Sequence, residues 1–320
     1  MPKQAILLLA HGTPETTDQI PEYLRNVVSG RPMPQTVVEE IQHRYSLIGR
    51  SPLTELTMEH AALVEAELAA TGQPVKVYVG MRNWRPYIPD VVKQMRADGV
   101  EEAAVVCLAP QNSRTSVGLY KRAVEAEAGS LKIDFTEGWS RDPLLAEAFA
   151  ERLRAKLSAL AAETGSTPPV LFTAHSVPCR TVQTPAANPD QPKYWPGQGA
   201  DPYAEDAKST ASLVAARVPE IPRWWFAFQS QGASGGPWIG PTVEETLDKI
   251  AAEGQKILVL QPIGFLCDHV EILYDIDIAF KQHAAKLGLR LERPESLNAS
   301  STLAKAVAGL CLQSLSRIQG

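Results

Sequence analysis

Short, wholly apolar runs ended by turn residues recur along the chain. Residues 6–9 (ILLL) lead into AHGTP at 10–14, and residues 170–173 (VLFT) lead into AHSVP at 174–178. Runs of this length suit strands buried on both faces of a parallel sheet. Further strand signals lie at 75–81, in the run that ends at Pro110, at 224–230, and in the run that ends at Pro262. Helical stretches separate them, notably 58–70 and 144–162. The signals keep one order in both halves: an xAHxxP segment, a second strand, a Pro-aromatic-Ile segment before a helix (Pro86-Tyr87-Ile88 and Pro237-Trp238-Ile239), then a strand ending in proline. Alternating strands and helices imply parallel sheets joined by crossovers. The fold class expected is α/β, with two similar doubly wound, Rossmann-like domains, 1–162 and 163–320, and a cleft between them. The boundary falls in the loop-like stretch ETGSTPP at 163–169. Residues 184–201 and 231–240, rich in Pro, Gly, Asn and Gln, are expected to be long surface loops.

Composition narrows the function classes. Of the 320 residues, 44% are hydrophobic and 21% charged, an ordinary globular balance. With 36 acidic and 31 basic side chains the net charge is -5, which argues against a nucleic-acid binder. Four cysteines at 107, 179, 267 and 311 form no C-x-x-C pair, so neither a zinc ribbon nor a local iron–sulfur motif is expected. The apolar run 5–10 is too short for a signal-peptide core, and no run is long enough to span a bilayer. These features suit a soluble protein of the cytoplasm. No HExxH, Walker A or glycine-rich dinucleotide motif is present, so no nucleotide is expected.

Ligands in doubly wound folds bind outside the carboxyl ends of the strands. His11 and His175 sit there at equivalent points of the repeat, and each either faces the cleft or satisfies a backbone group at a strand end. Asp268 and Glu271 have capping-box spacing. Glu271 and Asp275, four apart, share a helix face, where like charges disfavour each other unless a cation visits. Histidine and carboxylates without thiolates suit a hard or borderline divalent metal held weakly.

The chain resembles the ferrochelatases, which insert ferrous iron into a porphyrin in haem biosynthesis. The resemblance runs nearly end to end, through AHGTP at 10–14, HRYSLIGRSPL at 43–53, VYVGMRNWRPYI at 77–88, LAPQNSRTSVGLYKRA at 108–123, AHSVP at 174–178, DPYAED at 201–206, FQSQGASGGPWIGPT at 228–242 and PIGFLCDHVEILYDID at 262–277. It implies a chelatase-type pair of Rossmann-like domains, an essential histidine and glutamate at His175 and Glu271, and metal contacts at His175, Glu271, Asp275 and Arg44. It also implies porphyrin contacts at His11, Arg44, Tyr45, Ser51 and Tyr120. The spacing is nearest to short bacterial members that include the coproporphyrin III branch. Two positions depart from that branch: His11 stands where it carries an iron-ligating tyrosine, and Val28 where it carries an arginine. The expectations that follow are Fe²⁺ as substrate, coproporphyrin III favoured over protoporphyrin IX, no iron–sulfur cluster, a monomer, and transient contacts with neighbouring haem-pathway enzymes. A neutral imidazole near its reference pKa of about 6.5 is expected at His175. The alternatives are a cobalt or nickel chelatase of another tetrapyrrole, and a non-catalytic haem or tetrapyrrole carrier.

Overall fold

The computed structural model describes residues 3–182, 201–231 and 236–319. Two four-stranded parallel sheets repeat one strand order. The first runs β2-β1-β3-β4, built from β1 (Gln4–Ala10), β2 (Lys76–Met81), β3 (Glu102–Cys107) and β4 (Lys132–Thr136). The second runs β6-β5-β7-β8, built from β5 (Val170–His175), β6 (Trp224–Gln229), β7 (Ile257–Pro262) and β8 (Arg290–Glu292). Helices α1 (Ile20–Val27), α2 (Gln35–Ile48), α3 (Leu53–Ala70), α4 (Ile88–Ala97), α5 (Val117–Ala128) and α6 (Pro143–Thr164) accompany the first sheet. Then follow α7 (Cys179–Val182), α8 (Tyr203–Arg217), α9 (Val243–Ala252), α10 (Val270–Leu273), α11 (Lys281–Lys286) and α12 (Ser301–Gln319). A π-helical segment, Asp275–Phe280, joins α10 to α11.

The strands are apolar on both sides because both sides are covered. Ile6 and Leu8 of β1 join Phe172 of β5 and Val259 of β7 in one core that includes α3, α6, α8 and α12. Leu7 and Leu9, pointing the other way, pack against Ile88, Val92 and Met95 of α4 and Val117 and Val124 of α5. The second sheet repeats this outer layer with Val243, Leu247 and Ile250 of α9. Helix α12 returns to the first sheet, where Ser314 donates to the Asp134 carbonyl at 3.1 Å and Arg317 pairs with the Asp134 carboxylate of β4. Helix α6 has a firm start and stop. The Asp142 carboxylate accepts from Leu144 and Leu145 N–H, and Gly165 closes the helix at φ 80°.

The repeat is real, but one part of its alignment shifts. Both strand-to-helix turns after the second strand return a proline carbonyl to that strand: Met81 N–H donates to Pro86 and Phe228 N–H to Pro241. The equivalent of Pro86 is therefore Pro241, four residues beyond the Pro237 that the pattern suggests, and the matching helix caps are Tyr87 and Thr242. The loop expected at 184–201 lies, apart from Asp201, outside the described residues, as do residues 232–235 of the second loop. No helix among the described residues is long and apolar enough to cross a membrane.

Candidate active site

In both sheets the strand order reverses beside the first strand of the half, so the ends of β1 and β3 open a crevice, as do those of β5 and β7. The two crevices share one cavity of about 460 Å³. His11 enters it from the end of β1, Gln111 and Ser113 from the loop after β3, His175 from the end of β5, and Phe265, His269 and Glu271 from the segment after β7. Two glycines allow this convergence. Gly12 has φ 77°, and a Cβ there would fall 2.9 Å from the Met81 Cβ. At Gly264 a Cβ would fall 3.0 Å from the Ala174 Cβ, wedging β5 away from the loop that carries Glu271.

Glu271 is held between two imidazoles. Its Oε1 lies 3.3 Å from His175 Nε2 and its Oε2 lies 3.4 Å from His269 Nε2. Backbone carbonyls, which only accept, fix both rings from the far side: His175 Nδ1 donates to Ser176 and His269 Nδ1 donates to Cys267 at 3.0 Å. The Tyr203 hydroxyl donates to the His175 carbonyl at 2.8 Å, and the Gln229 amide donates to the Glu271 carbonyl at 3.3 Å. Phe265 and Trp238 flank the His175 ring.

Burial alone would lower the His175 imidazole, but the Glu271 carboxylate, its hydrogen bond and the Ser176 carbonyl raise it to about 9. The expectation of a neutral imidazole near its ordinary value is thus corrected, because the neighbouring carboxylate outweighs desolvation. Burial likewise opposes the Glu271 charge, yet His175 and His269 hold its carboxyl well below the usual carboxylate range. His11 goes the opposite way. Burial and the nearby Arg82 guanidinium lower it to about 3, so it is neutral, hydrogen-bonded to the Tyr23 hydroxyl at 2.9 Å and approached by the Asn83 amide.

Of the eight residues singled out from sequence, His11, Tyr120, His175 and Glu271 line the cavity. Arg44, Tyr45, Ser51 and Asp275 are not part of its wall. Arg44 Nη1 lies 3.1 Å from Asp275 Oδ1, and its guanidinium stacks on the Tyr274 ring. Ser230, with φ 59°, donates to the other Asp275 oxygen. The protein itself therefore supplies the counter-charge to Asp275. Tyr45 is buried among Ile20, Tyr23, Leu24, Val38 and Trp84, and its hydroxyl, like that of Ser51, has no partner. Burial and the Glu271 charge push the Tyr45 phenol up. Among the described residues no three His, Cys, Asp or Glu side chains are placed to hold a metal ion.

The capping-box alternative for Asp268 and Glu271 does not form. Helix α10 begins at Val270, and the Asp268 carboxylate instead accepts from Ser296 and Asn298 and pairs with Arg293. That late start is also why His269 escaped the sequence reading. Residues two apart diverge on a helix, but extended His269 precedes the first turn and can face Glu271. The signal was His-x-Glu straddling a helix start. Tyr23, Asn83 and Arg82, which surround His11, carried no pattern of their own.

Comparison with known proteins places this geometry. The fold is that of the chelatases: superposition on the sirohydrochlorin chelatase SirB from Bacillus subtilis subspecies spizizenii gives a TM-score of 0.57 at 14% identity, covering 99% of this chain and 97% of that one. A second SirB structure, with Fe³⁺, gives 0.58 at 13% identity, covering 99% and 98%. Residues 3–315 match the Ferrochelatase family model, and the chain belongs to the ferrochelatase family, enzymes that insert metal into porphyrins. It is 61% identical to a ferrochelatase of Acidobacterium capsulatum, covering 99% of this chain and 96% of that relative. It is 33% identical to a coproporphyrin III ferrochelatase of Mycolicibacterium vanbaalenii, covering 97% and 89%.

Proposed function

We propose that this ferrochelatase inserts Fe²⁺ into coproporphyrin III, with His175 and Glu271 as the catalytic pair. The observation that carries the reading is the ion pair of His175 and Glu271 on the wall of a cavity contributed by both sheets. Metalation must strip water from iron and remove two pyrrole protons. In the ligand-free state His175 already holds a proton on Nε2, because Nδ1 is committed to the Ser176 carbonyl. An imidazolium accepts no proton, so the pair acts as a unit. As Fe²⁺ approaches, its charge competes for Glu271 and removes what holds the imidazole high. His175 then releases its Nε2 proton to solvent, which its partly exposed ring reaches. The freed lone pair takes one pyrrole proton and, after passing that to solvent, the second, so that two protons leave for each Fe²⁺ inserted. His269 keeps the Glu271 carboxylate aimed between the rings. Asp275, off the cavity wall and paired with Arg44, joins the path of the cation only by exchanging Arg44 for the metal, and is not among the final contacts.

Support for coproporphyrin III comes from relatives of that name covering nearly the whole chain. The missing arginine at Val28 is not replaced by its neighbour, since Arg31 turns back to donate to the Val28 carbonyl at 2.9 Å. The N-terminal portion, 1–162, then contributes His11 and Tyr120, and the C-terminal portion, 163–320, contributes His175 and Glu271. Insertion assays on His175→Ala and Glu271→Gln test the assignment. Loss of turnover with a retained fold is expected, and turnover near wild type in either variant contradicts it.

A further inference from the structure

Helix α3 lays a buried stripe along the cavity and the central core: Leu53, Thr57, His60, Ala61, Val64 and Leu68. The spacing is that of an ordinary core face, and a leucine at position 60 would fit the pattern. The stripe carries a histidine there, and neither ring nitrogen has a hydrogen-bond partner. Thr57, one turn earlier, is satisfied by donating to the Leu53 carbonyl at 2.7 Å. Two further polar side chains of the cavity wall are satisfied too: the Gln111 amide donates to Thr210 and Ile263, and Asn298 is tied to Asp268. Among the described cavity-lining residues, the unpartnered buried polar atoms are the Thr13 hydroxyl and both nitrogens of His60.

An unpartnered buried imidazole destabilises the ligand-free protein, so its presence calls for a bound group that uses it. His60 is 3% exposed, whereas the side chains of His175 and Glu271 are 29% and 35% exposed. His60 is thus far more enclosed than the catalytic pair, on a helix whose Leu53, Leu56 and Thr57 also line the cavity. Burial lowers its imidazole to about 4, which leaves one N–H donor and one lone pair. No hydrogen bond fixes the ring about Cβ–Cγ, a broad torsion, so a nitrogen turns readily to the cavity face.

The two candidate porphyrins differ in what they can present to so enclosed a wall. Protoporphyrin IX carries its two propionates on one edge and can bury the opposite, vinyl-bearing edge. Coproporphyrin III carries propionates on both edges, so an enclosed macrocycle takes at least one carboxylate inward. We propose that His60 is a specificity-determining residue that donates a hydrogen bond to a propionate at the buried edge of the macrocycle. This rests on reading the cavity as the porphyrin site. It adds an inner anchor that none of the residues singled out from sequence supplies.

The test is the binding of coproporphyrin III and of protoporphyrin IX, followed by porphyrin fluorescence, to the wild-type chain, His60→Leu and His60→Gln. The expected result is that His60→Leu raises the coproporphyrin III Kd about tenfold and leaves that of protoporphyrin IX within about twofold or lowers it. His60→Gln, which restores an N–H donor, recovers most of the lost affinity. His60→Leu also melts at a higher temperature than wild type without ligand, since two unpartnered nitrogens are gone. Equal shifts for both porphyrins, or an unchanged coproporphyrin III Kd, overturn the proposal. A wild-type chain that metalates protoporphyrin IX in preference contradicts the coproporphyrin reading alone, because the His60→Leu to wild-type Kd ratio still decides the role of His60.

Discussion

His11 and His175 end equivalent strands of the two sheets, yet their imidazoles are driven apart: burial and Arg82 lower His11 to about 3, while Glu271 overcomes burial to raise His175 to about 9. One fold repeat thus yields a neutral histidine and a charged one in the same cavity. Such a split is how environments assign different tasks to like residues. The charged member has the carboxylate partner and suits proton transfer. The neutral member is held by Tyr23 and Asn83, and its nitrogen meets a metal only when one of those contacts opens.

Glu271→Gln removes the charge that holds His175 up. Burial then meets only the Ser176 carbonyl and the Asp275 charge, so the His175 pKa should fall from about 9. Ring-proton NMR across pH reads this directly, and a value still near 9 contradicts the assignment. The stability consequence has a definite sign. A folded pKa above the unfolded one stabilises below about pH 6.5, and that contribution is lost as pH rises through about 9. Wild type should lose more stability than Glu271→Gln between these limits.

His175→Ala should lower kcat about 10²–10⁴-fold, the usual worth of a positioned proton-transfer group. Tm should change little, because the ring is partly exposed and sits at a strand end. His269→Ala should cost about 10–100-fold through misplacement of Glu271, the range for residues that orient a functional ligand. Steady-state kinetics beside thermal melts separate the two. A large Tm loss without a kinetic effect would make His269 structural.

Arg44 and Asp275 should be coupled. Arg44→Met should destabilise by about 1–3 kcal/mol, because it strands the largely buried Asp275, whereas Asp275→Asn should cost less, because Arg44 is partly exposed and keeps its pair with Glu40. The double variant should lose less than the sum. Strict additivity in denaturant melts would show that Arg44 does not neutralise Asp275. The Asp275→Asn variant should also raise the Fe²⁺ KM several-fold with kcat within about twofold.

His11→Ala should keep substantial insertion but alter the absorption and resonance spectra of bound product, and quicken product release. The Tyr23 hydroxyl engages His11 Nε2 at 2.9 Å, so Tyr23→Phe should free that nitrogen and strengthen the product-iron signature. Unaltered product spectra in both variants would leave His11 as a strand-end histidine bonded to its neighbours.

Much of this architecture was readable along the chain, and the failures have physical reasons. The central strands announced themselves because burial on both faces demands unbroken apolar runs, as at Ile6 and Phe172. Edge strands β4 and β8 are half-solvated and short, so their mixed residues gave no such run. Helix α12 packs on the first sheet although it follows the second, a long-range choice that no local pattern encodes. His175 was legible from its repeat partner. His269 was not, because its contact with Glu271 depends on a helix that starts one residue later than the spacing suggested. The cation for Asp275 was expected from solution and is Arg44 of α2, 231 positions away in sequence.

Anaerobic competition between coproporphyrin III and protoporphyrin IX for Fe²⁺ insertion, followed by the loss of each free porphyrin's fluorescence, tests the central claim most directly. The account predicts turnover of both dependent on His175 and Glu271, with kcat/KM higher for coproporphyrin III. A higher kcat/KM for protoporphyrin IX, or insertion that survives His175→Ala unchanged, would contradict it.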